Sequence, residues 1–228
     1  GDATFTRGAL TKTLAASDYS GVAEVEIGAA SVVASATAVA GLAVTGSGTL
    51  ELLGVDTTVD LSSVAPELQV TAHLDQALDL TLPNALGAVD SFVVPAGVAL
   101  TLSVAQKTLL TLSGAGTYEL KDTAGNLENA DLTGAAHITV TDAATIAQLS
   151  TLNAAPGTLN YSAIKGTASD LTNDANSNGG AGTFVTPGKN VVVSDSATIA
   201  ELDIVQDVIS SGTVIAENIG DVVANLVA

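Results

Sequence analysis

The sequence predicts a mainly β fold with short helices: a β-strand-rich amino-terminal region followed by strand–helix repeats of the α/β solenoid kind. Three observations predict it. The stretch ITVTDAATIAQLSTL from Ile138 returns as VVVSDSATIAELDIV from Val191, so Asp142, Ile146 and Leu149 stand 53 residues before Asp195, Ile199 and Leu202. Copying of one supersecondary unit marks an architecture in which each unit buries its apolar face against the next. Apolar residues alternate with polar ones in short runs between turn residues, the period of a strand with one face buried. The apolar content is carried by Ala, Val, Leu and Ile beside abundant Thr, Ser and Gly, with no Trp or Met and 3% aromatics. β-Branched residues suit a pleated surface, and small ones let neighbouring coils approach.

Residues 1–120 read as mostly β, with an internal duplication at about 24–52 and 92–120. VTGSGTLEL at Val44 matches LSGAGTYEL at Leu112, 68 residues later. A Gly-x-Gly pair between alternating runs supplies backbone freedom, so each copy reads as strand, tight corner, strand. A phosphate loop would need a helix directly after its glycines, whereas TLEL and TYEL alternate like strands. Between the copies the alternation continues in Val59 and Leu61, in Leu68 and Val70, in Leu78, Leu80 and Leu82, in Leu100 and Leu102, and in Leu110 and Leu112. Pro66, Pro83 and Pro95 fall between or at the ends of these runs, where a missing amide donor does least harm to a ladder.

Residues 121–228 change rhythm to strand followed by short helix, repeated at about 138–171 and 191–226. The stripes Ile146, Leu149, Leu152 and Ile199, Leu202, Val205 are spaced for one helical face. Asp142 and Asp195 precede these stripes and read as their N-caps, accepting from first-turn amides at the positive end of the helix dipole. After a slip of two residues the copies resume, Gly157, Ile164 and Leu171 lying 55 residues before Gly212, Ile219 and Leu226. KDTAGNL at Lys121, KGTASDL at Lys165 and IGDVVANL at Ile219 form a recurring second half-unit. Strand and helix in alternation imply right-handed crossovers feeding a parallel sheet. The polar, glycine-rich stretch 172–188 interrupts the repeat and reads as an exposed insertion.

Inside that insertion Asp174, Asn176, Asn178 and Gly179 occupy positions 1, 3, 5 and 6 of the calcium-loop pattern DxNxNG. Oxygen-bearing side chains at alternate positions can converge on one cation, and glycine permits the turn between them. The twelfth position is Val185 where a bidentate Glu would complete the loop, so a polar loop without metal is the other reading. His73 and His137 have no second ligand at metal spacing and read as solvated strand residues, which removes zinc chemistry and the Ser-His-Asp triad. Asp56 with Asp60, and Asp75 with Asp79, read as spaced charges on or beside strands, not as a glycosidase pair. No catalytic residue is assigned, and the chain is read as no enzyme.

A formal charge of −18, from 24 acidic and 6 basic residues, repels phosphate backbones and anionic headgroups, so nucleic acid is not an expected partner. The same acidity attracts cations, calcium first among them. Cysteine is absent, so neither disulfides nor thiolate metal sites hold the fold. The uncharged stretch from Ile27 to Val44 has the length of a membrane span but is rich in Ala, Ser, Thr and Gly, and strand and turn are expected there, with no membrane insertion. No initiator methionine precedes Gly1, and the chain is expected to be a processed segment of a longer polypeptide.

The run ITVTDAATIAQLSTLNAAPGTLNYSAIKGTASDL from Ile138 resembles repeats of long secreted bacterial proteins, namely calcium-dependent surface-layer proteins and giant adhesins of the repeats-in-toxin type. The likeness covers Leu112–Ala228 best; the GGxGxD nonapeptide of such proteins does not occur, and GGAG at Gly179–Gly182 lacks its Asp. The resemblance implies export, a place on the bacterial cell surface, calcium, and a structural or adhesive role. Self-association with like subunits or neighbouring domains is the expected mode of action, with cell-surface polysaccharide as a further partner. The alternative is an extracellular module that binds a glycan or a host protein.

Overall fold

A computed structural model describes residues 3–7, 10–14, 24–29 and 31–220, the first two segments as backbone. Among the described residues the fold is mixed α/β, with several parallel sheets, short helices and no closed barrel. The chain divides into two compact units, Gly1–Glu119 and Leu120–Ala228.

In the first unit the strands are β1 (Ala3–Arg7), β2 (Leu10–Leu14), β3 (Glu24–Glu26), β4 (Ser31–Ser35), β5 (Ala43–Thr45), β6 (Thr49–Leu53), β7 (Gln69–His73), β8 (Leu78–Asp79), β9 (Ser91–Val93), β10 (Ala99–Leu102) and β11 (Thr111–Ser113). Two helices, α1 (Ala36–Val39) and α2 (Val104–Leu109), interrupt them, and β12 (Thr117–Asp122) runs through the division. A seven-stranded sheet has the order β11-β9-β7-β6-β4-β1-β2. Ser31 pairs with Thr49, Thr49 with Gln69, Thr71 with Ser91 and Ser91 with Thr111, all in parallel, so the chain returns to this sheet after 18, 20, 20 and 20 residues. At the other end β1 lies antiparallel to β4 and β2 antiparallel to β1, which changes the ladder from parallel to antiparallel. The pairs β3/β5 and β8/β10 are also parallel.

This register stacks like on like. Val32, Leu50 and Val70 form one inward column and Ala34, Leu52, Ala72 and Phe92 the next, all buried. Each burial removes apolar area from water at roughly 25 cal/mol per Å². The Gly-x-Gly corners lie between strands as expected, β5 leading to β6 and β11 to β12. Gly46 has φ 127° and a Cβ there would lie 2.7 Å from the Gly28 nitrogen; Gly114 has φ 100° and its Cβ would meet the Val94 carbonyl oxygen at 2.2 Å. Corners therefore stack backbone on backbone, which only glycine allows.

Several alternating runs turn out to be corners. Val59, Leu61 and Leu68 are buried, yet they lie outside the strands, in irregular stretches beside turns and the single bridges made by Asp60 and Val64: alternate burial needs only an inward-facing side chain, not a continued ladder. Leu82 ends its run exposed, because β8 stops at Asp79 and Thr81 turns the chain by donating to the Asp79 carboxylate.

The second unit holds α3 (Ala124–Glu128), β13 (Ala135–Val140), β14 (Ala144–Thr145), α4 (Ile146–Asn153), β15 (Thr158–Asn160), β16 (Ala163–Gly166), α5 (Ala168–Ala175), the single turn α6 (Ser177–Gly180), β17 (Asn190–Ala197), α7 (Ile199–Ile209) and β18 (Val214–Ile219). A parallel sheet runs β14-β16-β17-β18, and β13 pairs in parallel with β15. Strand-then-helix order repeats as the copied sequence requires: Ile146 and Ile199 both open a helix, both half-buried, and Leu152 and Val205 are both buried. Leu149 is fully buried whereas its counterpart Leu202 is only half-buried. Of the third half-unit only Ile219 and Gly220 are among the described residues, and the rest of it, to Leu226, lies outside them. The stretch 27–44 carries β4, α1 and the start of β5, and no helix among the described residues is long and apolar enough to cross a membrane.

Candidate functional site

The polar side chains of the second unit converge on the helix starts. Thr123, Thr145, Thr167 and Thr198 are the N-caps of α3, α4, α5 and α7, each hydroxyl accepting from the amide three residues on. The first three stand at steps of 22 residues, and Thr198 follows Thr167 by 31 because the 172–188 excursion intervenes. Thr145 with Gln148 and Thr198 with Glu201 close full capping boxes, in which the long side chain accepts from the cap's own amide at 3.0 and 2.8 Å. Ser103 and Gln106 form the same box on α2 in the first unit. Two orphan amides are satisfied by each box, which also fixes the direction in which the helix leaves its strand.

Asp142 and Asp195 therefore do not cap the helices that follow them. Their carboxylates reach the preceding strand–helix unit instead: Asp142 Oδ1 accepts from the Ala124 amide at 2.8 Å, and Asp195 Oδ1 from the Ala168 amide at 2.7 Å. Each amide belongs to the first residue of a helix whose cap is Thr123 or Thr167. The Thr takes the third helical amide and the Asp takes the first, so one helix start is satisfied from two strand–helix units. This is a non-local tie, 18 and 27 residues in span. The capping-box glutamines add to it, Gln148 Nε2 donating to Glu128 at 3.2 Å and, in the first unit, Gln106 Nε2 to the Leu80 carbonyl at 2.8 Å.

The excursion is pinned rather than loose. Asp174, at the end of α5 and 9% exposed, accepts through Oδ2 from the backbone amides of Thr183, Phe184 and Val185 at 3.2, 2.9 and 2.7 Å. Asn176 is the C-cap of α5, and Asn178, at φ 51°, donates from Nδ2 to the Gly182 carbonyl and the Thr183 hydroxyl. Tyr161 donates to the Phe184 carbonyl at 2.8 Å, and Lys189 donates to the Tyr161 carbonyl with its ammonium 4.1 Å from the ring centroid. Burial pushes the Tyr161 hydroxyl above its ordinary pKa. Of the calcium-pattern residues, Asp174 thus faces a cradle of amides and Asn178 a carbonyl and a hydroxyl. Among the described residues no three of His, Asp and Glu gather closely enough to hold a metal ion.

In the first unit Asp56 and Asp60 act on their own turns. Asp56 Oδ1 accepts from the Thr58 amide and hydroxyl at 2.7 and 2.6 Å, and Asp60 Oδ1 from the Ser62 amide at 2.9 Å. These Asx turns hold both carboxyls below their ordinary pKa, through the Thr58 and Ser62 side chains first. Glu201 is lowered in the same way by the amide and hydroxyl of Thr198. His137 is exposed on β13, as expected. His73 is not simply solvated: its Nε2 is buried, without a well-formed hydrogen bond, 3.4 Å from Glu51 on the neighbouring strand.

A cleft of about 660 Å³ lies beside the starts of α4 and α5, with Thr145, Ser150, Lys165, Thr167, Asp170 and Ser194 among its lining residues. Asp174 lines it as well, so its hydroxyls, one ammonium and two carboxylates could hydrogen-bond a small polar ligand. The Thr-x-x-Gln/Glu boxes were visible in the sequence as a signature of helix starts; the reach of Asp142 and Asp195 to another strand–helix unit has no local signal. No protein-family model, curated protein or solved structure matches the chain.

Proposed function

We propose that this chain is a non-catalytic structural segment of a bacterial surface-layer or adhesin-like protein, acting outside the cell through self-association that calcium promotes. In this reading each unit is a short solenoid whose coils serve as a rigid spacer and as a surface for neighbours. The observation that carries it is the spending of polar side chains on coil-to-coil ties: Asp142, Asp195, Gln106 and Gln148 all bond a different coil from their own. Groups committed to distant parts of the chain in this way hold shape. The resemblance of residues 112–228 to secreted repeats supplies the cell-surface setting, and the charge of −18 supplies the reason for a divalent cation. Sedimentation velocity and negative-stain imaging of the purified chain, with and without millimolar calcium, test it. Ordered or concentration-dependent assembly that calcium strengthens is expected; a monomer that is indifferent to calcium at all concentrations would remove the reading.

A second reading, a module that binds a glycan or host protein, draws on the cleft beside α4 and α5. Saturable glycan-array binding by the monomer, lost in Lys165→Ala, would favour it.

A further inference from the structure

We infer that the outer face of the seven-stranded sheet in the first unit is where a second copy of this chain docks, sheet face against sheet face. The inference rests on the self-association reading and names its surface. Burial alternates along β4, β6, β7 and β9, so one set of residues faces the core and the other faces out. Register places Val33, Glu51, Thr71 and Ser91 in one outward column. Ser35, Leu53, His73 and Val93 form the next. Thr71 and Ser91 already share a hydrogen bond along the column at 2.8 Å.

Charge selects this face. The described residues of the first unit carry 10 carboxylates, and of these only Glu51 lies in the outward columns, with His73 Nε2 beside it at 3.4 Å. Two copies at −18 each repel one another over most approaches. A face of hydroxyls and aliphatic groups with a single carboxylate meets little of that repulsion, and its desolvation is mild. Leu53, 46% exposed, and the half-buried Val33 and Val93 give it apolar area to remove from water. Face-to-face sheets pack about 10 Å apart with strands within about 30° of each other, a separation that side chains of this size fill. Because the remaining charge opposes contact, added salt strengthens the association; a contact made by opposite charges would weaken instead.

The test is sedimentation velocity on the full chain in rising NaCl, comparing wild type with Val93→Glu, Leu53→Glu and the control Thr101→Glu, which stands on β10 away from the face. Circular dichroism checks the fold of each. A symmetric contact doubles every added charge, so each face variant should weaken association at least about tenfold, and the control less than about twofold. Since the chain has no cysteine, Thr71→Cys provides a second readout that adds no charge: its maleimide labelling should slow on association, and that of Thr101→Cys should not. Association that is unchanged in both glutamate face variants, or Thr71→Cys labelling that does not slow, would overturn this face and leave the scaffold reading standing. A wild type that remains monomeric at every salt and calcium concentration would overturn both.

Discussion

Replacing Asp174 by Ala removes one carboxylate oxygen that serves three amides, those of Thr183, Phe184 and Val185. Hydrogen bonds to a charged acceptor contribute roughly 1.5–3 kcal/mol each, and a buried donor left unpaired costs roughly 1–3 kcal/mol. The three do not add fully, because one oxygen serves them all and water can reach Thr183, which lies nearer the surface than Phe184 and Val185. A net loss of about 3–5 kcal/mol follows, at the upper end for a single substitution. Asp174→Asn keeps a neutral acceptor and should lose about 1–2 kcal/mol. Urea unfolding gives the total, and hydrogen exchange resolved at residues 183–185 gives its location. Those amides should exchange as slowly as neighbouring core amides in the wild type and lose protection first in Asp174→Ala. A loss below about 1 kcal/mol with unchanged exchange would refute the assignment of this carboxylate as the anchor of the excursion.

Asp142→Ala and Asp195→Ala should each destabilise by about 1–2 kcal/mol, seen in thermal melts, with faster exchange at Ala124 and Ala168 respectively and not at the helices that follow each Asp. Gly114→Ala should be poorly tolerated, at about 2 kcal/mol or more, since its Cβ would overlap the Val94 carbonyl and φ is 100°. Gly125→Ala in α3 meets nothing within 4 Å and should be neutral or stabilising by up to about 1 kcal/mol, so the pair separates packing from backbone entropy in one melting experiment. Asp56, Asp60 and Glu201 have lowered pKa values in the folded chain, so their contributions are present above the unfolded carboxylate range and disappear as pH falls through the folded values. Melting temperature should therefore hold from about pH 7 to pH 5 and decline towards pH 3, and only modestly, because these groups are exposed.

Copying was the part of the fold most legible in the sequence. The 53-residue match around Asp142 and Asp195 located two strand–helix units, and Ile146 and Ile199 do open equivalent helices. Capping was misplaced by three residues: Asp142 is a good cap residue by type, but Thr145 with Gln148 carries the Thr-x-x-Gln pattern that marks the start the helix uses. The partner of Asp142 is 18 residues away at the start of another helix, and no local pattern encodes a contact of that range. Alternation at Val59, Leu61 and Leu68 reported inward side chains correctly but could not distinguish a ladder from a buried corner. The excursion looked solvated because its composition is polar; Asp174 is nonetheless buried, because backbone amides 9 to 11 residues on supply what water would. Candidate ligands were placed by pattern alone, and a pattern does not show that Asn178 points to Gly182 and Thr183.

Sedimentation velocity of the intact chain across a salt series addresses the central claim, a scaffold that works by contact between copies. A sedimentation coefficient that rises with protein concentration, and rises further as salt screens the −18 charge, is the expected result. A single species of monomer mass throughout, with and without calcium, would contradict it.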